Sequence, residues 1–201
     1  MPTLKRRARV GLLGGSFNPA HAGHFYISRE ALRLLDLDEV WWLVSPQNPL
    51  KPMAGMAPLE DRLESARSQA RLHRIRVSAL ELELGTRFTA DTVEALQRRF
   101  KGLRFVWLMG DDNLIQIHRW QAWTRLFARV PIAVFARSRY AQKALSSRAA
   151  KRFARARRSA EEAPRLADVK APAWVFLSIP RHPASATRLR NRLQATRGAA
   201  Q

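Results

Sequence analysis

The apolar residues of this 201-residue chain fall into short runs that alternate with amphipathic helical patterns. Short apolar runs bounded by polar or glycine-containing loops indicate buried strands, whereas apolar positions spaced by three and four residues indicate helices. Strands are predicted at residues 8–13, 39–44, 75–82, 104–109, 131–136 and 174–177. Helices are predicted at residues 23–35, 58–72, 91–100, 141–157 and 185–194.

This alternation of strands and helices favours parallel strands joined by right-handed crossovers. The predicted fold class is therefore α/β, with a doubly wound parallel sheet. In such a sheet, ligands bind beyond the carboxyl ends of the strands, near the point where the strand order reverses. Residues 1–201 are predicted to form a single domain, with a basic lid or surface insertion at about residues 138–170.

Some helix starts and loops carry local signals. Pro58 suits a first helical turn. Asp91 followed by Glu94 resembles a capping box at the start of a helix. Residues 14–22 read as a loop between the first strand and the first helix.

Composition sets limits on the class of protein. Cysteine is absent, so disulfides and thiolate zinc sites are excluded. The apolar run at residues 10–13 is too short for a signal peptide, and no stretch approaches the roughly 20 apolar residues of a membrane helix. A cytoplasmic protein without a membrane partner is the expectation. The oligomeric state is left open by the sequence.

The formal net charge is +20, and it is unevenly distributed. Nine lysines and arginines lie within residues 137–158, which contain no acid. Such a field attracts nucleotides, nucleic acids and anionic surfaces alike, so it selects poorly among them. A solvated face, a lid over a nucleotide and a weak non-specific contact with polyanions are all compatible with it.

The most informative stretch is GGSFNPAHAGH, residues 14–24. Two glycines permit a sharp turn and a close approach to a ligand. His21 and His24 flank the start of the first helix, where unpaired N–H groups and a partial positive charge favour phosphate. Both imidazoles can donate hydrogen bonds to phosphate oxygens from there.

Other interpretations of this stretch are weaker. Two histidines could bind a metal, but no third ligand of suitable type is near them in sequence. The spacing fits neither the dinucleotide-binding G-x-G-x-x-G pattern nor the Walker A pattern. A purely structural turn would not require two histidines.

At these residues the chain resembles the nucleotidylyltransferase superfamily with an H-x-G-H signature, and more narrowly nicotinate-nucleotide adenylyltransferase. Four further segments extend the resemblance: residues 45–51, 88–96, 107–123 and 184–190. The chain departs from the family where Ser138 and Arg139 replace the usual P-G after Arg137, where Gln121 replaces a large residue, and where Ala184 replaces isoleucine. The resemblance implies a Rossmann-like nucleotidylyltransferase fold.

The resemblance also implies three sets of site residues. The catalytic positions are His21, His24, Lys51 and Arg190. The ATP-binding positions are Gly14, Gly15, Ser16, Phe17, His21, His24, Gly110, Asp112, Arg137, Ser185, Thr187 and Arg190. The positions that bind nicotinate mononucleotide are Ser16, Asn18, Asn48, Lys51, Thr89, Trp120 and Gln121. No protein metal ligand is implied.

The implied reaction joins nicotinate mononucleotide and ATP to give deamido-NAD and pyrophosphate, a step of NAD biosynthesis. Mg²⁺ is expected to arrive with ATP. One alternative is a related H-x-G-H adenylyltransferase that uses nicotinamide mononucleotide or phosphopantetheine as acceptor. Another, from a different class, is a basic nucleic-acid-binding protein.

Overall fold

The computed structural model describes residues 7–46, 55–136 and 140–180. Within these residues the strands are β1 (Arg9–Gly15), β2 (Glu39–Val44), β3 (Ile75–Ser78), β4 (Arg104–Gly110), β5 (Ile132–Ala136) and β6 (Trp174–Ser178). The α-helices are α1 (Ala22–Leu34), α2 (Leu59–Gln69), α3 (Leu80–Glu83), α4 (Thr89–Arg99), α5 (Asp111–Gln116), α6 (Trp123–Arg129), α7 (Ala141–Leu145) and α8 (Arg148–Arg152). Short 3₁₀ helices lie at Ile117–Arg119, Ala154–Ala156 and Ala160–Asp168.

The strands of the described residues form one parallel sheet in the order β3-β2-β1-β4-β5-β6. The strand order reverses between β1 and β4, which are neighbours although they are far apart in sequence. The register pairs Leu13 with Leu108, so Gly15 and Gly110 end their strands at the same level. A doubly wound sheet binds its ligands at this kind of crevice.

Apolar side chains cover both faces of the sheet. On one face, α1, α2 and Ala160–Asp168 bury a cluster around Trp42, Leu108 and Phe135. On the other face, α4, α5 and α6 bury a cluster around Trp41 and Trp107. Strands covered on both sides read as continuous apolar runs, and the run Glu39–Val44 is buried throughout. The predicted α/β doubly wound fold is confirmed.

The basic segment after β5 is part of the crossover to β6. Helices α7 and α8 pack against α5. Beyond them the chain passes the outer edge of the sheet, where the Arg158 N–H donates to the Trp174 carbonyl at 2.8 Å. Ala160–Asp168 then packs on the opposite face, where Leu166 is fully buried. The apolar side of this segment is therefore part of the core, while its basic side chains are exposed.

Three predicted elements differ from the observed ones. The strand predicted at residues 75–82 stops at Ser78, because the short helix α3 begins at Leu80 and buries Leu80 and Glu81. The single helix predicted at residues 141–157 is broken, because Ser147 accepts from the Ala150 N–H and caps a new helix. The predicted capping box at Asp91 is also wrong: α4 begins at Thr89, and Asp91 pairs with Arg125.

Smaller shifts occur at other boundaries. Strand β1 continues through Gly14 and Gly15, which pair with β2, so the loop begins at Ser16 rather than at residue 14. Pro58 precedes the first residue of α2 instead of occupying it, and α2 ends at Gln69. The helix predicted at residues 185–194 lies outside the described residues.

Candidate active site

The predicted phosphate-binding motif lies at the end of β1, at the reversal of strand order. After Gly15, the chain turns through Ser16 and Phe17 before α1 begins. Ser16 is buried. Phe17 has a left-handed backbone with φ of 45°, which an L-residue adopts rarely and usually where the surrounding structure requires it. The sharp turn of this motif is therefore made at Phe17 and not at the two glycines.

His21 and His24 cap the first turn of α1. The Gly23 N–H donates to Nδ1 of His21 at 3.0 Å. The His21 N–H donates to Nδ1 of His24 at 3.2 Å. The two rings lie 3.9 Å apart between centroids. Two backbone donors of the helix start are thus satisfied by the imidazoles, in the manner of a capping box.

This capping determines which nitrogen of each ring carries the proton. A neutral imidazole that accepts through Nδ1 is protonated at Nε2. In the neutral form, His21 and His24 would therefore each carry the proton on Nε2, and the first turn of α1 contains no acid. Two imidazole donors at a helix N-terminus without acidic side chains form a site suited to a phosphate group.

An aromatic layer supports the histidines. The Phe17 ring lies 4.6 Å from His24 and stacks on Trp42 at 5.1 Å between centroids. The Trp42 indole N–H donates to Ser28 Oγ at 2.7 Å, and that hydroxyl donates to the His24 carbonyl at 2.9 Å. These contacts tie the start of α1 to β2 and restrict the position of the His24 ring.

Arg62 of α2 holds the loops around the motif together. It is 2% exposed, and its guanidinium donates to the carbonyls of Ser16 at 2.8 Å and Ser45 at 2.7 Å. It also donates to the carbonyls of Pro46 and Ala57, each at 2.9 Å. Burial lowers the pKa of the guanidinium from its usual value, but an arginine remains charged at any ordinary pH.

Asn18 connects the motif to the loop that precedes α2. Its side-chain amide donates to the Gly55 carbonyl at 3.0 Å, and its oxygen accepts from the Ala57 N–H at 3.2 Å. The position predicted to bind the mononucleotide thus also braces a loop of the site. Its contact with a ligand stays a prediction.

The end of β4 lies opposite the end of β1. Gly110 is buried and is followed by α5. Asp111 is fully buried, and its carboxylate accepts from the Asp112 N–H at 3.2 Å. Asp112 is exposed, which suits the predicted contact with a ribose hydroxyl, and that contact remains a prediction.

The aromatic residues after β4 approach the motif from the other face of the sheet. Trp120 is half-buried and meets Trp107 edge to face at 6.4 Å between centroids. The Trp107 ring in turn packs beside Gly14. Gln121 is exposed next to Trp120, and Thr89 is half-buried at the start of α4. The Trp120 ring is therefore held in place by an edge-to-face contact with Trp107. This arrangement is compatible with the predicted stacking of Trp120 on a pyridine ring.

Gly14 and Gly15, at the end of β1, differ in their surroundings, and substitution separates their roles. A Cβ at Gly14 would lie 2.5 Å from the Trp107 ring, whereas a Cβ at Gly15 would make only ordinary contact with Phe17 at 3.6 Å. We expect Gly14→Ala to lower the free energy of unfolding by about 2 kcal/mol, as overpacking does. Gly15→Ala should fold with near-normal stability but lose activity, because the new methyl group would occupy space that the bound phosphate needs. Urea unfolding and turnover of both variants test this, and equal loss of stability in the two would contradict it.

A second group of polar residues surrounds a pocket of about 310 Å³ beside the end of β2. Its wall includes Ser45, Pro46, Glu81, Thr86 and Arg87. Glu81 is 6% exposed. Burial raises the pKa of Glu81 to about 7, against the opposing effect of hydrogen bonds from the Ser45 and Thr92 side chains.

The raised pKa of Glu81 predicts a pH-dependent stability. The folded chain holds this proton more tightly than the unfolded chain, whose glutamate pKa is near 4.5. The stabilising effect is therefore fully present below pH 4.5 and is lost as the pH rises to about 7, by roughly 3 kcal/mol in total. Between pH 5 and pH 8, Glu81→Gln should gain roughly 2 kcal/mol of unfolding free energy relative to the unmodified chain. Urea unfolding of Glu81→Gln and of the unmodified chain at pH 5 and pH 8 measures their free energies of unfolding. If the two proteins differ by the same amount at both pH values, the prediction is refuted.

Several predicted site residues lie outside the described residues. These are Asn48, Lys51, Arg137, Ser185, Thr187 and Arg190. Their roles stay predictions.

Two structural residues of the site were missed by the sequence analysis. Arg62 occupies the buried stripe of α2, three residues after Leu59, next to Leu63 and four residues before Ala66. That spacing was a usable signal for a buried arginine. Glu81 lay within a predicted strand, and no local pattern distinguished it from the exposed Glu83.

Comparison with known proteins agrees with this geometry. Residues 12–192 match the family described as cytidylyltransferase-like. The probable nicotinate-nucleotide adenylyltransferase of Cereibacter sphaeroides is 53% identical over 181 residues, which cover 90% of this chain and 95% of that protein. The protein of the same name from Bradyrhizobium sp. is 52% identical over 183 residues, which cover 91% and 95% of the two chains.

Solved structures share the fold at lower sequence identity. The nicotinic acid mononucleotide adenylyltransferase of Plasmodium falciparum, solved in complex with NaAD, superposes with a TM-score of 0.68. It is 16% identical, and the match covers 92% of this chain and 83% of that one. A TM-score of 0.52 is found for a putative nicotinate-nucleotide adenylyltransferase from Vibrio parahaemolyticus, at 19% identity over 63% and 72% of the two chains.

Because the family match spans the strands and the capped histidine motif, and relatives of nearly equal length are half identical, the chain belongs to the cytidylyltransferase-like family, among the nicotinate-nucleotide adenylyltransferases.

Proposed function

We propose that this chain transfers the AMP part of ATP to the phosphate of nicotinate mononucleotide, giving deamido-NAD and pyrophosphate in NAD biosynthesis. The observation that carries the proposal is the capped start of α1, where His21 and His24 each accept a backbone N–H through Nδ1. Relatives that are half identical over nearly their whole length and bear the name of this activity support it. The cytoplasm, where both substrates are available, is the proposed location.

In this reaction, a phosphate oxygen of the mononucleotide attacks the α-phosphorus of ATP. The new oxygen–phosphorus bond forms as the bond from the α-phosphorus to the pyrophosphate breaks, and pyrophosphate leaves with the electron pair. The attacking phosphate is already ionised, so no general base is needed. The barrier arises from repulsion between anions, which positioned donors lower. His21 and His24 would supply those donors, together with Lys51 and Arg190.

Mg²⁺ would enter with the triphosphate. Within residues 7–46, 55–136 and 140–180, no three histidine, aspartate or glutamate side chains are grouped to hold a metal ion. The described side chains therefore do not form a dedicated cage, and no residue role proposed above depends on the ion.

The direct test measures pyrophosphate release with ATP and each of three acceptors: nicotinate mononucleotide, nicotinamide mononucleotide and phosphopantetheine. The proposal expects the highest kcat/KM with nicotinate mononucleotide. Preference for phosphopantetheine, or no release with any acceptor, would overturn it.

Trp120 is proposed to stack on the pyridine ring of the mononucleotide. Trp120→Ala should raise the KM for nicotinate mononucleotide about tenfold, the value of one lost stacking contact, with much less change in the KM for ATP. Trp120→Phe keeps an aromatic face and should recover most of the affinity. Equal changes in both KM values would contradict the stacking role.

The described part of the chain contains no helix long and apolar enough to cross a membrane. It does present a basic surface, formed by Lys143, Arg148, Lys151, Arg152 and Arg155, all exposed. On α8 the apolar Ala149 and Ala150 face inward, so the three cations of this helix share the outer side. This surface is proposed as the source of a weak, non-specific affinity for polyanions.

The signature of such binding is a steep loss of affinity with salt. Anisotropy of a labelled single-stranded RNA, measured from 50 to 200 mM NaCl, should show it. Replacing Arg148 and Arg152 by glutamine should reduce the salt slope, while the matched replacement of exposed Arg98 and Arg99 on α4 by glutamine should reduce it less. Equal slopes for the two variants would place the affinity elsewhere.

A further inference from the structure

Four rings follow one another from the core of the protein to the phosphate motif. The Trp42 ring of β2 stacks on Phe17 at 5.1 Å between centroids. The Phe17 ring lies 4.6 Å from His24, and the His24 ring lies 3.9 Å from His21. We call Trp42, Phe17, His24 and His21 the ring column. Its buried end is Trp42, and its other end is the pair of histidines at the start of α1.

Hydrogen bonds fix the orientation of Trp42 relative to α1. Trp42 and Ser28 are both fully buried. The indole N–H donates to Ser28 Oγ at 2.7 Å, and the same hydroxyl donates to the His24 carbonyl at 2.9 Å. The buried hydroxyl is thus satisfied both as acceptor and as donor. Trp42 also approaches the His24 ring itself, at 6.0 Å between centroids and an interplanar angle of 60°. Trp42 therefore reaches His24 by two routes, through rings and through Ser28.

The neighbouring Trp41 shows what a tryptophan of β2 contacts when it serves packing alone. Trp41 is 2% exposed and lies on the opposite face of the sheet. Its ring meets Phe100 and Phe105 edge to face, and its indole N–H donates to Glu39 at 2.9 Å. None of these three partners belongs to the predicted site. Since both tryptophans are buried and hydrogen-bonded, what distinguishes Trp42 is its contact with the phosphate motif.

We propose that Trp42 is a positioning residue for His24, which it holds through the Phe17 ring and through Ser28. This inference rests on the proposed function, in which His24 donates to phosphate. Trp42 itself touches no reacting atom. A donor stabilises developing charge only when it is already in place, and a displacement of about 1 Å can cost roughly 100-fold in rate. Loss of Trp42 should therefore lower kcat more than it changes the KM of either substrate.

The first test compares the steady-state kinetics of Trp42→Leu, Trp42→Phe and the matched control Trp41→Leu. Trp42→Leu should lower kcat about tenfold, with the KM values for ATP and nicotinate mononucleotide changed less than about twofold. Trp42→Phe keeps a stacking ring and should recover most of this loss. Trp41→Leu removes a similar buried ring and should have near-normal kcat per folded molecule. An unchanged kcat in Trp42→Leu, or an equal loss in Trp41→Leu, would overturn the proposal.

The hydrogen-bonded route has its own test, which does not require Trp42→Leu to fold. Ser28→Ala removes the acceptor of the indole N–H and should lower kcat about threefold, a small displacement of the His24 ring. The double variant Ser28→Ala/Trp42→Phe should have a kcat close to that of the slower single variant, because both changes break the same link. A normal kcat in both single variants, or losses that multiply in the double variant, would overturn the proposal.

A further comparison asks whether Trp42 acts through His24. In a His24→Ala background, Trp42→Leu should lower kcat no further, because the group that it positions is absent. A general loss of core packing would instead lower kcat by the same factor in both backgrounds, and that result would overturn the proposal.

The position of the His24 ring can also be followed without any substrate. The protein has 5 histidines, so the proton resonances of their rings can be separated by NMR, and the His24 signal is the one missing from His24→Ala. This signal should shift in Trp42→Leu and stay in place in Trp41→Leu. A His24 signal that does not move in Trp42→Leu would overturn the proposal. If the signal moves but the unmodified enzyme releases no pyrophosphate with nicotinate mononucleotide, the proposed function fails instead, so the two failures are distinguishable.

Discussion

His24→Ala is expected to lower kcat for pyrophosphate release by at least about 100-fold, the usual effect of removing one preorganised donor from a site of developing charge. The Nδ1 atom of His24 accepts from the His21 N–H, so a neutral His24 ring carries its proton on Nε2, the atom proposed to donate to phosphate. The ring is also held against Phe17 at 4.6 Å, which fixes the donor before the substrate arrives. Turnover at saturating ATP and nicotinate mononucleotide measures the effect.

The same substitution also removes half of the capping arrangement on α1, so stability must be separated from catalysis. Loss of such a cap costs about 1 kcal/mol. Glutamine is a favoured residue at this capping position, so His24→Gln should recover the stability while it lacks the imidazole donor. We expect its kcat to stay low. His73→Ala, at an exposed histidine before β3, is the control and should be normal in both respects. A folded His24→Ala enzyme with near-normal kcat would remove this catalytic role.

The fold could be predicted from the sequence because most of its strands are compact apolar runs. The run Glu39–Val44 was predicted with the bounds that the structure shows. The sheet is covered on both faces, so its strands need no alternation and remain distinct from the helices. Parallel strands with helical crossovers then leave few topologies.

Boundaries were wrong where a distant partner decides the backbone. Glu81 follows β3 on the short helix α3, where its side chain is buried in a pocket wall shared with Ser45 of another segment. Residues 79–82 alone do not contain that information. At Ser147, by contrast, the cap that breaks the basic helix is local, because Ser147 accepts from the nearby Ala150 N–H. Two adjacent serines, Ser146 and Ser147, within a helical pattern already indicated a possible break.

In the site, too, features set by neighbouring residues could be predicted, and features set by distant partners could not. His21, Gly23 and His24 are neighbours in sequence, so a helix start with two donors could be inferred from the motif alone. The supporting residues are scattered, because their partners come together only in the fold. The role of Arg62 requires the loops after β1 and β2 to meet at α2. Its place on the buried stripe of α2 was a usable signal of burial, but its partners could not be predicted from the sequence.

Arg62→Met is expected to be the most destabilising substitution among those considered. Methionine keeps an apolar stem of similar length but donates no hydrogen bond. The carbonyls of Ser16, Ser45, Pro46 and Ala57 all lose the guanidinium. Unsatisfied buried carbonyls each cost about 1 to 3 kcal/mol, and some regain water, so we expect a loss of about 4 kcal/mol in the free energy of unfolding. Urea unfolding measures it.

The effect on activity should exceed the loss of folded protein, because Arg62 positions both the phosphate motif and the loop after β2. At a temperature where the variant is still folded, kcat/KM should fall about tenfold or more through misplacement of the phosphate-binding groups. Arg62→Lys retains the charge but not the fork geometry, so it should recover only part of the stability. Arg67→Met, on the exposed side of the same helix, is the matched control. An unfolding midpoint for Arg62→Met equal to that of Arg67→Met would show that the four carbonyls do not depend on the guanidinium.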